Sequence, residues 1–245
     1  MMIKVHGKVV PTELSELVDP SYTALLVIDM QNDFCSAGGA SDRGGDSLSM
    51  YPEVIGRTAG VLRAARSRGV PVLFARMVAL PDGQSDSPAW IRLRMRAGRA
   101  QPADGTAWTF TVDGTWGADF VAALRPEPGE RVVTKYRSSA LHGTDLDTLL
   151  RSNGVRTLVI TGCTTEGCVE STIRDAVMHD YFTVLLSDCV GSDDQALHQA
   201  SMRVMTAYRT DVATSAELIE AWSAPAAAGQ AAAPAAGAAR RGDRH

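Results

Sequence analysis

One stretch, residues 155–176, restricts the possible folds more than any other. It opens on Leu158, Val159 and Ile160, an unbroken apolar run expected to form a strand buried on both faces. It passes through Thr161-Gly162-Cys163-Thr164-Thr165-Glu166-Gly167, all small or polar. Val169, Thr172, Ile173 and Ala176 then recur at helical spacing. Strand, tight turn, helix is the unit from which α/β domains are built. The pattern places Cys168 where the helix begins. A thiol there meets unpaired backbone N–H groups and the positive end of the helix dipole, which predicts a lowered pKa and a nucleophilic thiolate. The competing reading is a small buried apolar residue, which is what most free cysteines are.

The same alternation recurs along the chain. Residues 24–28, 70–75, 131–134, 181–187 and 211–213 read as further strands. Helical stripes occupy residues 54–65, 144–150, 196–208 and 215–222, with Gly69 as a stop signal for the first and Thr144 as the N-cap of the second. Short helices are expected at 88–99 and 117–124, and the glycine-rich stretch 35–49 reads as a loop. The class that follows is α/β: a three-layer αβα, doubly wound, mostly parallel sheet of about six strands, Rossmann-like in layout. Residues 1–20 read as an irregular N-terminal arm, 21–223 as a single domain, and 224–245 as a disordered Ala/Pro-rich tail. Residues 77–115 show little periodicity, and a loop that long is commonly a lid or a binding loop; Trp90, Trp108 and Phe110 lie in it.

In doubly wound sheets the ligand crevice lies outside the carboxyl ends of the strands. Asp29 ends the first apolar run, Lys135 the third, and Cys168 follows the fourth. All three are therefore expected at one edge. Lys135 beside Cys168 would stabilise a thiolate, Asp29 could move a proton between sulfur and a leaving amine, and backbone amides of the 163–168 turn could hold an oxyanion. Taken singly, each has a bland reading: Asp29 a loop carboxylate capping an amide, Lys135 a solvated surface charge. Their shared placement favours the chemical one.

The residues around these three resemble the isochorismatase-like cysteine hydrolases over roughly residues 25–218. The resemblance rests on Asp29-Met30-Gln31-Asn32-Asp33-Phe34, on Lys135-Tyr136-Arg137-Ser138-Ser139-Ala140 with Gly143-Thr144-Asp145-Leu146, and on the run from Thr161 to Val169 with Thr172, Asp175 and Ala176. It implies an Asp29–Lys135–Cys168 triad, a cis peptide at Cys163–Thr164, oxyanion donors in the amides of Thr164 and Cys168, and Phe34 as a wall of the substrate pocket. Members of the family that cleave a vinyl ether lack the cysteine, so its presence implies amide chemistry. Metal-binding members use an Asp-x-His and a second histidine beyond the second strand. This chain has Arg76-Met77-Val78 there and no histidine between His6 and His142, so neither a metal nor another cofactor is expected. The cysteine turn looks most like the branch acting on N-carbamoyl, ureido or biuret-type compounds. The chain departs from those relatives at Leu141-His142 and throughout 77–115.

Arg76 is a candidate for a substrate carboxylate or a partner for a loop acid, and Leu141 and His142 are candidates to line the pocket. A Cys168–His142 pair and a Cys163–Cys168 disulfide are further alternatives, as is a non-catalytic ligand-binding protein on the same fold. Cys35 and Cys189 carry no second signal. A net charge of −4 gives no reason to expect nucleic acid or an anionic membrane as partner. No segment is apolar for long enough to span a bilayer, and four cysteines without a CxxC pair suggest reduced thiols and a cytoplasmic setting. The expected partners are a small amide or ureido substrate and further copies of the chain, as a homodimer or homotetramer.

Overall fold

The computed structural model describes residues 2–96 and 110–223. Trp108 and the stretch 224–245 lie outside the described residues. The elements, in chain order, are β1 (Ile3–Val5), β2 (Lys8–Val10), α1 (Leu14–Leu17), β3 (Thr23–Ile28), α2 (Asn32–Cys35), α3 (Ala40–Arg43), α4 (Tyr51–Ser67) and β4 (Val72–Met77). They continue with α5 (Pro88–Arg96), β5 (Arg131–Lys135), α6 (Leu146–Ser152), β6 (Thr157–Cys163), α7 (Glu170–Met178), β7 (Phe182–Gly191), α8 (Gln195–Tyr208), β8 (Asp211–Ala213) and α9 (Ser215–Ser223).

Six strands form one parallel sheet in the order β5-β4-β3-β6-β7-β8. The chain winds from β3 outward to β5, crosses back to β6, and winds outward the other way. Right-handed crossovers therefore put α4 on one face and α6, α7 and α8 on the other. The boundary between β3 and β6 is the topological switch point, where ligands bind in such sheets. Thr23–Ile28 and Thr157–Cys163, the two strands that flank it, are buried along their whole length, as their continuous apolar runs require. They approach closely at their ends: a Cβ on Gly162 would fall 2.0 Å from the Ile28 carbonyl oxygen, and the φ of 127° suits only glycine.

Several local expectations need correction. The arm is not irregular. His6 and Gly7 both take positive φ and close a two-residue turn between β1 and β2, which pair antiparallel. The end of the arm lies on the body: Val18 is fully buried and its carbonyl accepts a hydrogen bond from Trp222 Nε1 of α9 at 2.7 Å. Stretch 35–49 contains a helical turn, α3. Residues 117–124 are not one helix but two 3₁₀ turns, because the backbone between them bonds to the chain after β3: Asn32 N donates to Asp119 O, and Val121 N to Met30 O. The helix at 144–150 starts one residue later than expected, with Asp145 at the cap position; the Thr144 hydroxyl still accepts from the Leu146 amide. β7 does not stop at Ser187. A register shift opposite Ile160 to Gly162 lets it pair again, Val190 with Gly162 and Gly191 with Cys163.

Candidate active site

Three strand ends carry the three expected groups to the switch point. β3 ends at Ile28, and Asp29 follows with φ of 52°, a left-handed conformation that aspartate tolerates better than most residues. β5 ends at Lys135, and its position two strands away from β3 explains why a lysine is needed: only a long side chain crosses the end of β4 to reach Asp29. After β6, the peptide Cys163–Thr164 is cis, and Thr165–Val169 forms one wide π-type turn that places Cys168 before α7.

Lys135 Nζ lies 2.7 Å from Asp29 Oδ2 and 3.1 Å from Cys168 Sγ, and also donates to the Arg137 carbonyl at 3.2 Å. Asp29 and Lys135 have no solvent exposure, and Cys168 is 7% exposed. The reading of Lys135 as a solvated surface charge therefore falls away. The Lys135–Asp29 contact is a fully buried ion pair, and hydrogen bonds from Lys135 and from the Cys168 thiol reach the same carboxylate. A carboxylate within hydrogen-bonding reach of the thiol is placed to exchange a proton with it.

The electrostatics overturn one expectation. Burial pushes the Cys168 thiol up to about 12, and the Asp29 carboxylate adds to that; the Lys135 ammonium offsets only part of it. Helix start and lysine were expected to lower this pKa, but desolvation of a sulfur anion outweighs both. Burial likewise raises Asp29, with Lys135 pulling it partly back. On Lys135 burial acts downward, but the Asp29 carboxylate and the Cys168 sulfur outweigh it and hold the ammonium above its ordinary value. Burial thus favours the neutral form of the thiol at rest. Iodoacetamide should therefore alkylate Cys168 slowly at neutral pH, with a rate still climbing beyond the ordinary thiol value of 9.0, followed by peptide mass spectrometry. A rate that levels off near neutrality would reveal a preformed thiolate instead.

The turn is fixed by neighbours that sequence reasoning quoted without giving them roles. The Thr164 carbonyl accepts from the amides of Gly167 and Val169, and the Cys168 amide between them is not part of that set. Thr172 Oγ1 donates to the Cys168 carbonyl at 2.7 Å and accepts from Ala140 N at 3.0 Å, tying the cysteine turn to the segment after Lys135. Gln31 grips the end of β4 through both Met77 backbone groups and also donates to the Ala118 carbonyl. Asp33 accepts from the amides of Ala40 and Thr111, and a Cβ on Gly117 would strike its carboxylate.

The remaining candidates separate. Phe34 is buried edge-to-face on Phe110, 4.8 Å between ring centres, and Leu141 is buried. His142 is exposed, so the structure gives it no role beside the sulfur. Arg76 sits opposite Thr134 rather than Lys135 in the strand register, bonds to Thr134 Oγ1 and pairs with Asp113 at 3.5 Å. It borders a hollow with Arg125 and Phe120 that contains none of the three central residues. Cys163 does not face Cys168 as a bonding partner. Its sulfur lies 3.8 Å from Cys35 Sγ and donates to the Asp29 carbonyl at 3.0 Å. Among the described residues no group of three His, Cys, Asp or Glu is arranged to hold a metal, and the end of β4 presents Arg76 and Met77 rather than donors suited to zinc.

The doubly wound α/β sheet thus gathers a thiol, an ammonium and a carboxylate at its switch point. The comparisons make this specific. A family model described as the isochorismatase domain matches residues 23–217. A ureidoacrylate amidohydrolase RutB from Methylobacterium radiotolerans is 38% identical over 205 residues, spanning 80% of this chain and 79% of its own. Among solved structures, a cysteine hydrolase from Pseudomonas syringae pv. phaseolicola matches with a TM-score of 0.71 at 26% identity, covering 84% of this chain and 94% of that one. An isochorismatase family protein from Desulfovibrio vulgaris matches with a TM-score of 0.68 at 30% identity, covering 81% and 96%. The chain belongs to the isochorismatase family.

Proposed function

We propose that this chain is a metal-independent cysteine amidohydrolase that cleaves the C–N bond of a small carbamoyl, ureido or carboxamide compound through a thioester on Cys168. The observation that carries the reading is the buried contact set: ammonium 2.7 Å from the carboxylate and 3.1 Å from the sulfur. The similarity to ureidoacrylate amidohydrolases supports a ureido substrate.

Because the thiol rests neutral, its proton must leave as sulfur attacks. Asp29, within hydrogen-bonding reach of the Cys168 thiol, takes that proton while the sulfur bonds to the carbonyl carbon. The amides of Thr164 and Cys168 hold the oxyanion. Asp29 then returns the proton to the departing nitrogen, the C–N bond breaks, and ammonia or an amine leaves a thioester behind. Water attacks the thioester carbon, Asp29 accepts its proton, and the proton passes to the sulfur as the C–S bond breaks. Lys135 stays an ammonium throughout and offsets the negative charge as it moves between carboxylate and sulfur.

Residues 21–223 form the catalytic unit in this reading, with 1–20 as an assembly arm. Exposed Ile3, Val5 and Val9 on the β1–β2 hairpin support assembly as a homodimer or homotetramer, since an isolated hairpin gains little stability alone. The reading includes a cytoplasmic setting, supported by four free cysteines. No described helix is long and apolar enough to cross a membrane. Ammonia release from ureidoacrylate, N-carbamoyl amino acids and simple carboxamides tests the activity. Release from at least one ureido compound, undiminished by a chelator, is expected. No ammonia from any of them, or activity lost to the chelator and restored by zinc, would contradict it.

A further inference from the structure

Lys135 is not the only cation that this segment brings to the edge of the sheet. Arg137 follows two residues later, and its carbonyl is the third acceptor of the Lys135 ammonium, so its backbone is fixed against the reactive cluster. Its side chain is half-buried. Nη1 donates to the carbonyls of Ser85 at 3.0 Å and Tyr136 at 2.6 Å, and the guanidinium lies 5.0 Å from the centre of the Trp90 ring. Two carbonyls and an indole face thus hold one side of the fork in place.

On the other side, no carboxylate among the described residues pairs with Arg137, and none of them offers an acceptor to its Nε or Nη2. Among the partly or largely buried arginines of the described chain, Arg66 is matched with Glu130, Arg76 with Asp113, Arg94 with Asp86 and Arg174 with Glu170, while Arg209, far from the site on the turn after α8, is matched with none. Removing a guanidinium from water and restricting its rotamers is unfavourable unless an anion compensates. The Nε–Nη2 edge has the spacing of a carboxylate and binds one through two parallel hydrogen bonds.

We propose that Arg137 is a specificity-determining residue that receives a carboxylate carried by the substrate, so that the compound hydrolysed is a short ureido or amide acid rather than a neutral amide. The inference rests on the amidohydrolase reading and narrows it. Arg76, the arginine singled out by its strand-end position, is excluded from this role by its pairing with Asp113.

The test compares a ureido acid with its neutral carboxamide analogue as substrates of the full chain, with kcat and KM measured separately. The wild-type protein should prefer the acid, and short free carboxylates should inhibit competitively where their neutral amides do not. Arg137→Gln should lower kcat/KM for the acid by about 100-fold, mostly through KM, as expected for the loss of a charged hydrogen-bonded pair. The neutral compound should lose no more than a few-fold, and Arg137→Lys should fall between for the acid. An equal loss on both compounds would make Arg137 a support for Lys135 and overturn the inference, as would wild-type preference for the neutral compound. Should Arg137→Gln not fold, the wild-type preference and the carboxylate inhibition decide the matter. If the wild-type protein hydrolyses neither compound nor any other ureido or amide substrate, the amidohydrolase reading fails, and this inference with it.

Discussion

Cys168→Ala is expected to abolish ammonia release, with kcat/KM falling by at least ~10⁴-fold, the scale on which removal of a covalent nucleophile acts. The fold should survive, because the sulfur is a small buried group beside Lys135, and that ammonium stays paired to Asp29. Cys168→Ser is the sharper variant. It keeps a donor and acceptor beside Lys135 but supplies an oxygen nucleophile far harder to ionise, so its turnover should remain close to that of the alanine variant. Steady-state ammonia assays with thermal melts on the same samples separate loss of chemistry from loss of fold. Activity retained in either variant within ten-fold would remove the thiol from the mechanism.

The second large effect is on stability as well as rate. Lys135→Met takes away the ammonium paired with a carboxylate that has no solvent exposure. Breaking a buried pair from one side typically costs about 3–5 kcal/mol, because the remaining charge stays buried. In a chain of this size that lowers Tm by roughly 6–20 °C. Combining it with Asp29→Asn removes both charges, and the double variant should melt above Lys135→Met alone while remaining inactive. Melting points that simply add would mean the two side chains do not share a charge in the folded protein.

Much of this architecture could be read from residue pattern, for reasons visible at particular positions. Residues 24–28 and 158–160 are unbroken apolar runs because both flank the switch point, and a strand covered on both faces has no polar side to show. Their polar ends, Asp29 and the cysteine turn, stand out against those runs. Lys135 was legible for the same reason, although its span across the end of β4 was not, since strand order is a property of the whole fold. The Cys35–Cys163 contact was invisible: 128 residues separate the two, and neither sits in a motif that names the other.

Where pattern misled, a nonlocal effect outweighed a local one. The turn at His6 and Gly7 lacked the usual asparagine or aspartate, so the hairpin was missed. At 117–124 a helical composition yielded to backbone bonds offered by Met30 and Asn32. For the Cys168 thiol, the adjacent helix start and lysine argued downward, but burial argues upward and is the larger influence. Arg76 and Arg137 make the same point. Both follow strand-like runs, but register puts Arg76 beside Thr134 and Asp113, while the carbonyl of Arg137 meets the Lys135 ammonium.

The claim on which the rest depends is that sulfur bonds to substrate carbon. Rapid acid quench of the wild-type protein turning over a ureido or amide substrate, followed by intact and peptide mass spectrometry, addresses it most directly. The expected result is a transient mass increase equal to the acyl fragment, localised to the peptide bearing Cys168 and absent from Cys168→Ala. Turnover with no adduct on Cys168 under conditions where hydrolysis of the thioester is slowed, or an adduct on Cys35, Cys163 or Cys189 instead, would contradict it.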